Sequence, residues 1–138
     1  MGGPRFVNWN GSASSAPGVV AVPRDVDELI RVVRDRESYP SPIRPAGNFH
    51  SLVPCFETTG TQVLLSNFRD VRVDLTAMTI TVGASIPMIR MRDMLRLFGM
   101  QTEVTPEIGT ATVGSVACCG TKDSSVGERG LAQISSTV

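Results

Sequence analysis

One histidine, three cysteines and two glycine-bearing stretches are the parts of this chain that could do chemistry. The first stretch is Arg44-Pro-Ala-Gly-Asn-Phe-His-Ser51, which contains His50, the single histidine. The second runs from Glu107 to Lys122 and is built almost throughout from small residues. Small side chains let a ligand lie against the backbone. A row of backbone N–H groups in such a loop binds phosphate oxygens without needing Lys or Arg. Taken singly, each loop could equally be an ordinary turn. The dinucleotide fingerprint GxGxxG is absent, and Gly120-Thr-Lys-Asp123 places a carboxylate where a P-loop needs the magnesium-binding hydroxyl.

The cysteines, Cys55, Cys118 and Cys119, are odd in number, two are adjacent, and no CxxC occurs. That fits no disulfide framework, so reduced thiols and a cytoplasmic location are expected. A metal site would need all three and His50 to converge; vicinal cysteines seldom both face one ion, and none is expected. Cys118 and Cys119 are expected to pack as small apolar residues under the second loop. Thirteen basic residues balance thirteen acidic ones, which gives no electrostatic case for nucleic acid. No apolar run is long enough to span a bilayer, the N-terminus shows no secretory h-region, and Phe6 stands where a myristoylation signal needs Ser or Thr.

These loops need elements to position them. Phe6 and Trp9 are expected to anchor an irregular N-terminus. Gly18-Val-Val-Ala-Val-Pro23 predicts a buried strand. Asp25 predicts a helix N-cap with Glu28 as capping-box partner, and Val26, Leu29, Ile30 and Val33 its buried face. The helix must stop before Pro40 and Pro42. Ile43-Arg44-Pro45 completes a βαβ unit. Gln62–Ser66, Val71–Leu75 and Met78–Val82 suggest an antiparallel meander. Pro87 opens a second helix that ends at Gly99, with Ile89, Met94, Leu95 and Phe98 on its buried side and the methionines as core filler. Leu131–Ile134 reads as a short strand, and Lys122, Asp123, Glu128 and Arg129 as a solvated turn.

In this order, the residues resemble the flavin-binding domain of the vanillyl-alcohol oxidase and p-cresol methylhydroxylase family. The resemblance is carried by Asn8-Trp9, Val22–Ile30, Arg44–Ser51, Val73-Asp74, Ile80–Gly83, the helix ending in Gly99, and Ile108–Gly114. The opening Phe6-Val-Asn-Trp9 is most like the alditol and aldonolactone oxidoreductases. The resemblance implies an α+β fold of two subdomains, here 1–50 and a C-terminally incomplete 51–138, with FAD extended between them. It implies cofactor contacts from Pro45, Ala46, Gly47, Asn48, Phe49, His50 and Ser51. From the second loop it implies contacts from Glu107, Thr112, Gly114, Ser115, Val116, Ala117, Cys118, Gly120 and Thr121. In the family, the histidine of Gly-His-Ser often bonds covalently to the isoalloxazine 8α-methyl, and His50-Ser51 matches it. Phe49 stands where the family has Gly, which leaves both a covalent and a non-covalent His50 open. Ser115 replaces a second glycine, and Lys122 a histidine. Residues 101–112 hold no cysteine, so no second flavin link is expected.

The function implied is that of the FAD-holding part of an oxidoreductase acting on a hydroxyl-bearing carbon of a sugar, sugar alcohol or aldonolactone. No catalytic residue is expected in this stretch, because the substrate residues of the family lie mostly in a cap domain that this chain lacks. A homo-oligomer is expected where incomplete sheets expose strand edges. The competing reading is a non-catalytic nucleotide-binding or protein-interaction module.

Overall fold

The computed structural model describes residues 3–102, 105–119 and 121. The chain divides into two compact units, Met1–Asn67 and Phe68–Val138. The expected strand at Leu131–Ile134 and the turn at residues 122–129 lie outside the described residues.

In the first unit, β1 (Phe6–Val7) and β2 (Ser14–Ser15) form a short antiparallel hairpin. Then follow β3 (Val19–Ala21), α1 (Val26–Arg34), β4 (Ile43–Ala46) and β5 (Thr61–Leu64). The sheet order is β3-β5-β4, and both pairings are parallel. Here the antiparallel meander expected from residue 62 is corrected. β5 enters between the two βαβ strands, with Gln62 opposite both Val20 and Arg44. A central parallel strand is covered on both faces and reads as a continuous run rather than an alternating one; Thr61, Gln62 and Val63 are all buried.

Asp25 caps α1 as its type predicts, accepting from Glu28 N at 2.8 Å. The Glu28 carboxylate departs from the capping box: it turns out to Arg24, accepting from Arg24 N at 2.8 Å and Arg24 Nε at 2.7 Å. The expected buried face of α1 is corrected as well. Val32 is buried and Leu29 packs beside it with Ala21, Val63, Tyr39 and Ile43, whereas Val26, Ile30 and Val33 are exposed. A nine-residue helix this rich in aliphatics carries two overlapping stripes at helical spacing, and the sheet takes the one centred on Val32.

The Arg24 guanidinium and backbone N–H, helped by Arg31, hold the Glu28 carboxyl at about 2, below its ordinary 4.5. The N–H and hydroxyl of Ser38 lower Asp35 in the same direction. A carboxylate with a lowered folded-state pKa stabilises fully above its unfolded value and loses that contribution as pH falls through the folded one. For Glu28 the window therefore runs from 4.5 down to about 2. Thermal melts across that window are expected to show Tm falling with pH, and Glu28→Gln should flatten part of the fall. The effect is small, because solvent screens the group.

In the second unit, β6 (Val71–Asp74) and β7 (Thr79–Val82) form the antiparallel hairpin expected there. Asp74 Oδ1 accepts from Thr76 N and Ala77 N to fold its turn. Next come α2 (Met88–Leu97) and α3 (Val113–Cys118). Gly99, at φ +67°, follows the C-cap Phe98 and ends α2 as its type predicts. The core joins Met88, Met91, Leu95, Met100, Ala111 and Val116, with Val73, Ile80 and Val82 against it. The methionines do fill the core, but the expected buried face of α2 is rotated: Ile89 and Phe98 are exposed while Met88 and Met91 are inside. Unbranched Met fills the irregular space under a two-stranded hairpin, and that fixes which stripe turns inward.

Candidate cofactor site

The first loop leaves the C-terminal end of β4, where Ala46 pairs with Leu64. Ligands of open α/β sheets gather at such strand ends. Pro45 and Ala46 belong to the strand; Gly47, Asn48, Phe49, His50 and Ser51 form the loop. Phe49 has φ +56°. Its ring stacks on Phe6 at 5.4 Å and meets Phe56 edge-on at 5.1 Å. Ser51 is locked by its own turn, with Oγ donating to Val53 O at 3.0 Å and Cys55 Sγ lying 3.4 Å from it.

The N-terminal hairpin holds this loop. Asn8 is 3% exposed. Its Nδ2 donates to Ser51 O at 3.0 Å and its Oδ1 accepts from Ala13 N at 3.0 Å. The next residue donates Trp9 N to Phe49 O at 3.3 Å. Asn8 thus braces the loop, a contact that the Asn8-Trp9 motif does not reveal in sequence. Trp9 was expected to be a core anchor, but its indole is 68% exposed; Phe6 supplies the anchoring ring and Trp9 contributes only backbone. Both ties use carbonyl oxygens of the loop. Among the backbone–backbone hydrogen bonds of the described residues, Phe49 N and Ser51 N are not donors. With their carbonyls tied back, Phe49 and Ser51 carry backbone N–H groups of the kind that suit phosphate oxygens.

The second loop is organised differently. Pro87 bridges to Thr112, and Met88 N and Ile89 N donate to Ala111 O and Gly109 O at 2.9 and 2.7 Å. Thr112 caps α3, accepting from Ser115 N at 3.3 Å, with its hydroxyl 2.8 Å from Ser115 Oγ. Val113 N donates to Ile86 O at 2.8 Å and Gly114 N to Ala84 O at 3.0 Å. The first N–H groups of α3 are therefore already used inside the unit. This segment thus offers a ligand no free helix-end donors. Gly114 is required by packing within the unit: a Cβ there would lie 2.9 Å from Ala84 Cβ.

Val116 is 0% exposed, so it is a core residue. Glu107 is exposed, and Ala117 and Thr121 are half-buried. Cys118 and Cys119 are exposed, which corrects their expected packing beneath the loop. They occupy the C-terminal end of a six-residue helix whose inward contact is made by Val116. Gly120 lies outside the described residues. Among the described residues, no three His, Cys, Asp or Glu side chains gather as a metal site. A cavity of about 230 Å³ between β3 and α1 is lined by Pro23, Glu28, Arg31, Asp35 and Tyr39 and includes no residue of either loop. No helix among the described residues is long and apolar enough to cross a membrane.

The fold is similar to that of solved cholesterol oxidase structures. A solvent-stable cholesterol oxidase superposes with a TM-score of 0.73 at 22% identity, over 86% of this chain and 24% of that one. A cholesterol oxidase from B. sterolicum gives 0.72 at 16% identity, over 85% of this chain and 23% of that one. The chain thus spans about a quarter of the length of either enzyme. No curated protein matches. The family model of the FAD binding domain matches residues 17–132, a span that takes in both loops. Matched over most of its length, the chain belongs to the FAD binding domain family and its cofactor is FAD.

Proposed function

We propose that this chain is the FAD-holding part of an oxidoreductase that acts on a carbon bearing a hydroxyl group. The observation that carries the reading is the loop 47–51, with its carbonyls tied to Asn8 and Trp9 and its Phe49 and Ser51 N–H groups available. When bound, FAD supplies the two-electron acceptor that no amino-acid side chain can provide. The chain's own residues bind and orient it. The Pro45–Ser51 segment offers backbone donors to the pyrophosphate. The Thr112–Cys118 segment offers a small-residue surface.

Within that reaction class, the Phe6-Val-Asn-Trp9 opening favours a sugar alcohol or aldonolactone as substrate. The cholesterol oxidases similar in fold favour a sterol. Both substrates present a hydroxyl-bearing carbon. The substrate domain is proposed to lie outside these residues, and His50 is proposed to carry a covalent bond to the flavin.

Anaerobic mixing of the full-length, FAD-loaded protein with an alditol, an aldonolactone and cholesterol tests the reading. Bleaching of the flavin absorbance by an alditol or aldonolactone supports it. Bleaching by cholesterol alone moves the assignment to sterols, and no bleaching by any hydroxyl compound contradicts the reaction class.

A further inference from the structure

The residue before His50 sits in a backbone conformation that its side chain opposes. At φ +56°, Phe49 lies in the left-handed region, where Cβ crowds the following carbonyl. Glycine enters that region freely, and a bulky residue there is an outlier needing a cause. The cause is on either side of the ring. Phe6 stacks on it with the planes 10° apart, and Phe56, 3% exposed, meets it at 81°. Offset-stacked and edge-on pairs are the two arrangements aromatic rings prefer. The backbone is held as well, since Phe49 O accepts from Trp9 N at 3.3 Å.

We infer that Phe49 is a positioning residue for the cofactor loop, held left-handed by the rings of Phe6 and Phe56 so that the peptide following it, with His50 and Ser51, is correctly aimed. The inference rests on the FAD reading above. Rotation of φ at residue 49 swings every later atom of the loop, so a slip to negative φ would re-aim the Ser51 N–H and the imidazole together. Where glycine would supply this bend by conformational freedom, this chain supplies it by packing. The N-terminal hairpin thereby becomes part of the cofactor site, although Phe6 lies in β1, far from the loop in sequence.

A double-mutant cycle between Phe6 and Phe49 in the full chain tests this directly, because the two mechanisms predict different coupling. Two quantities are read: amide hydrogen exchange over residues 47–51 without FAD, and FAD affinity by flavin fluorescence. Phe6→Ala should accelerate the exchange and weaken FAD by about tenfold. In the Phe49→Gly background the same Phe6→Ala change should alter FAD affinity less than about twofold, since glycine needs no ring support. Phe49→Val should weaken FAD most, because a β-branched residue is barred from this region. Phe6→Leu keeps apolar volume without a ring and should resemble Phe6→Ala, which separates ring support from general destabilisation. Equal effects of Phe6→Ala in both backgrounds would overturn the inference, as would Phe49→Val binding FAD like the parent. If the parent chain itself fails to bind FAD, the exchange cycle still decides. Coupling there sustains the positioning role and sinks the FAD reading, and its absence sinks the positioning role.

Discussion

Gly83→Ala is expected to destabilise the second unit by about 3 kcal/mol, roughly 12–24 °C in Tm for a unit of this size. Gly83 follows β7 and donates its N–H to Asp70 O at 2.7 Å. A Cβ at this position would fall inside the contact distance of the Phe68 carbonyl and of Arg69 N. Both are backbone atoms, so no side chain can swing aside. The Phe68 carbonyl is pinned further, accepting from Ser85 N at 3.2 Å and Ser85 Oγ at 2.8 Å. Relief would require breaking one of these bonds or bending the hairpin away from Met88 and its neighbours. Calorimetry of the purified variant checks the expectation. A Tm within about 2 °C of the parent would mean that the segment from Phe68 to Asp70 yields at low cost.

His50→Ala should release the flavin. If the covalent bond proposed above is present, full-length protein keeps its yellow colour after acid precipitation and the variant loses it to the supernatant. The variant should still bind FAD in its native state, because the ties from Trp9 N to Phe49 O and from Asn8 Nδ2 to Ser51 O do not involve the imidazole. Ser51→Ala offers the contrast. Its hydroxyl serves the local turn, bonding to Val53 O and Val53 N, so its loss should cost roughly 1 kcal/mol and leave the flavin attached. Mass spectrometry of the His50 peptide from FAD-replete protein decides the matter. An unmodified peptide removes the covalent proposal and leaves His50 as a residue of the loop.

Local signals carried much of the fold. Asp25 caps α1 and Gly99 closes α2, because caps depend on residues within one turn and their chemistry is visible in sequence. What depended on distant partners was not visible. β5 was misplaced because nothing local marks a strand that inserts between two others in parallel. The inward faces of α1 and α2 were misjudged because each helix carries more apolar residues than its sheet or hairpin covers. The short helix α3 carries no capping box, since Ser115 stands where Glu or Gln would be, and only Thr112 marks its start.

The candidate site divides the same way. The loop Pro45–Ser51 was legible because its glycine and histidine follow a strand and match a known pattern. Its construction was not. Phe49 breaks that pattern, and only the positive φ with the rings of Phe6 and Phe56 shows how the break is accommodated. Likewise, the use of the α3 N–H groups by Ile86 and Ala84 could not be read from the run of small residues that encodes it.

Thermal unfolding of the purified chain with FAD, FMN or NAD in turn tests the central claim most directly. The loop 47–51 is proposed to offer backbone donors to the pyrophosphate, and the chain belongs to the FAD binding domain family. FAD at a hundredfold excess over its Kd should stabilise the chain by about 2.7 kcal/mol, a shift of several degrees, while FMN and NAD shift it little. Equal shifts with all three ligands, or no shift with FAD, would contradict the account.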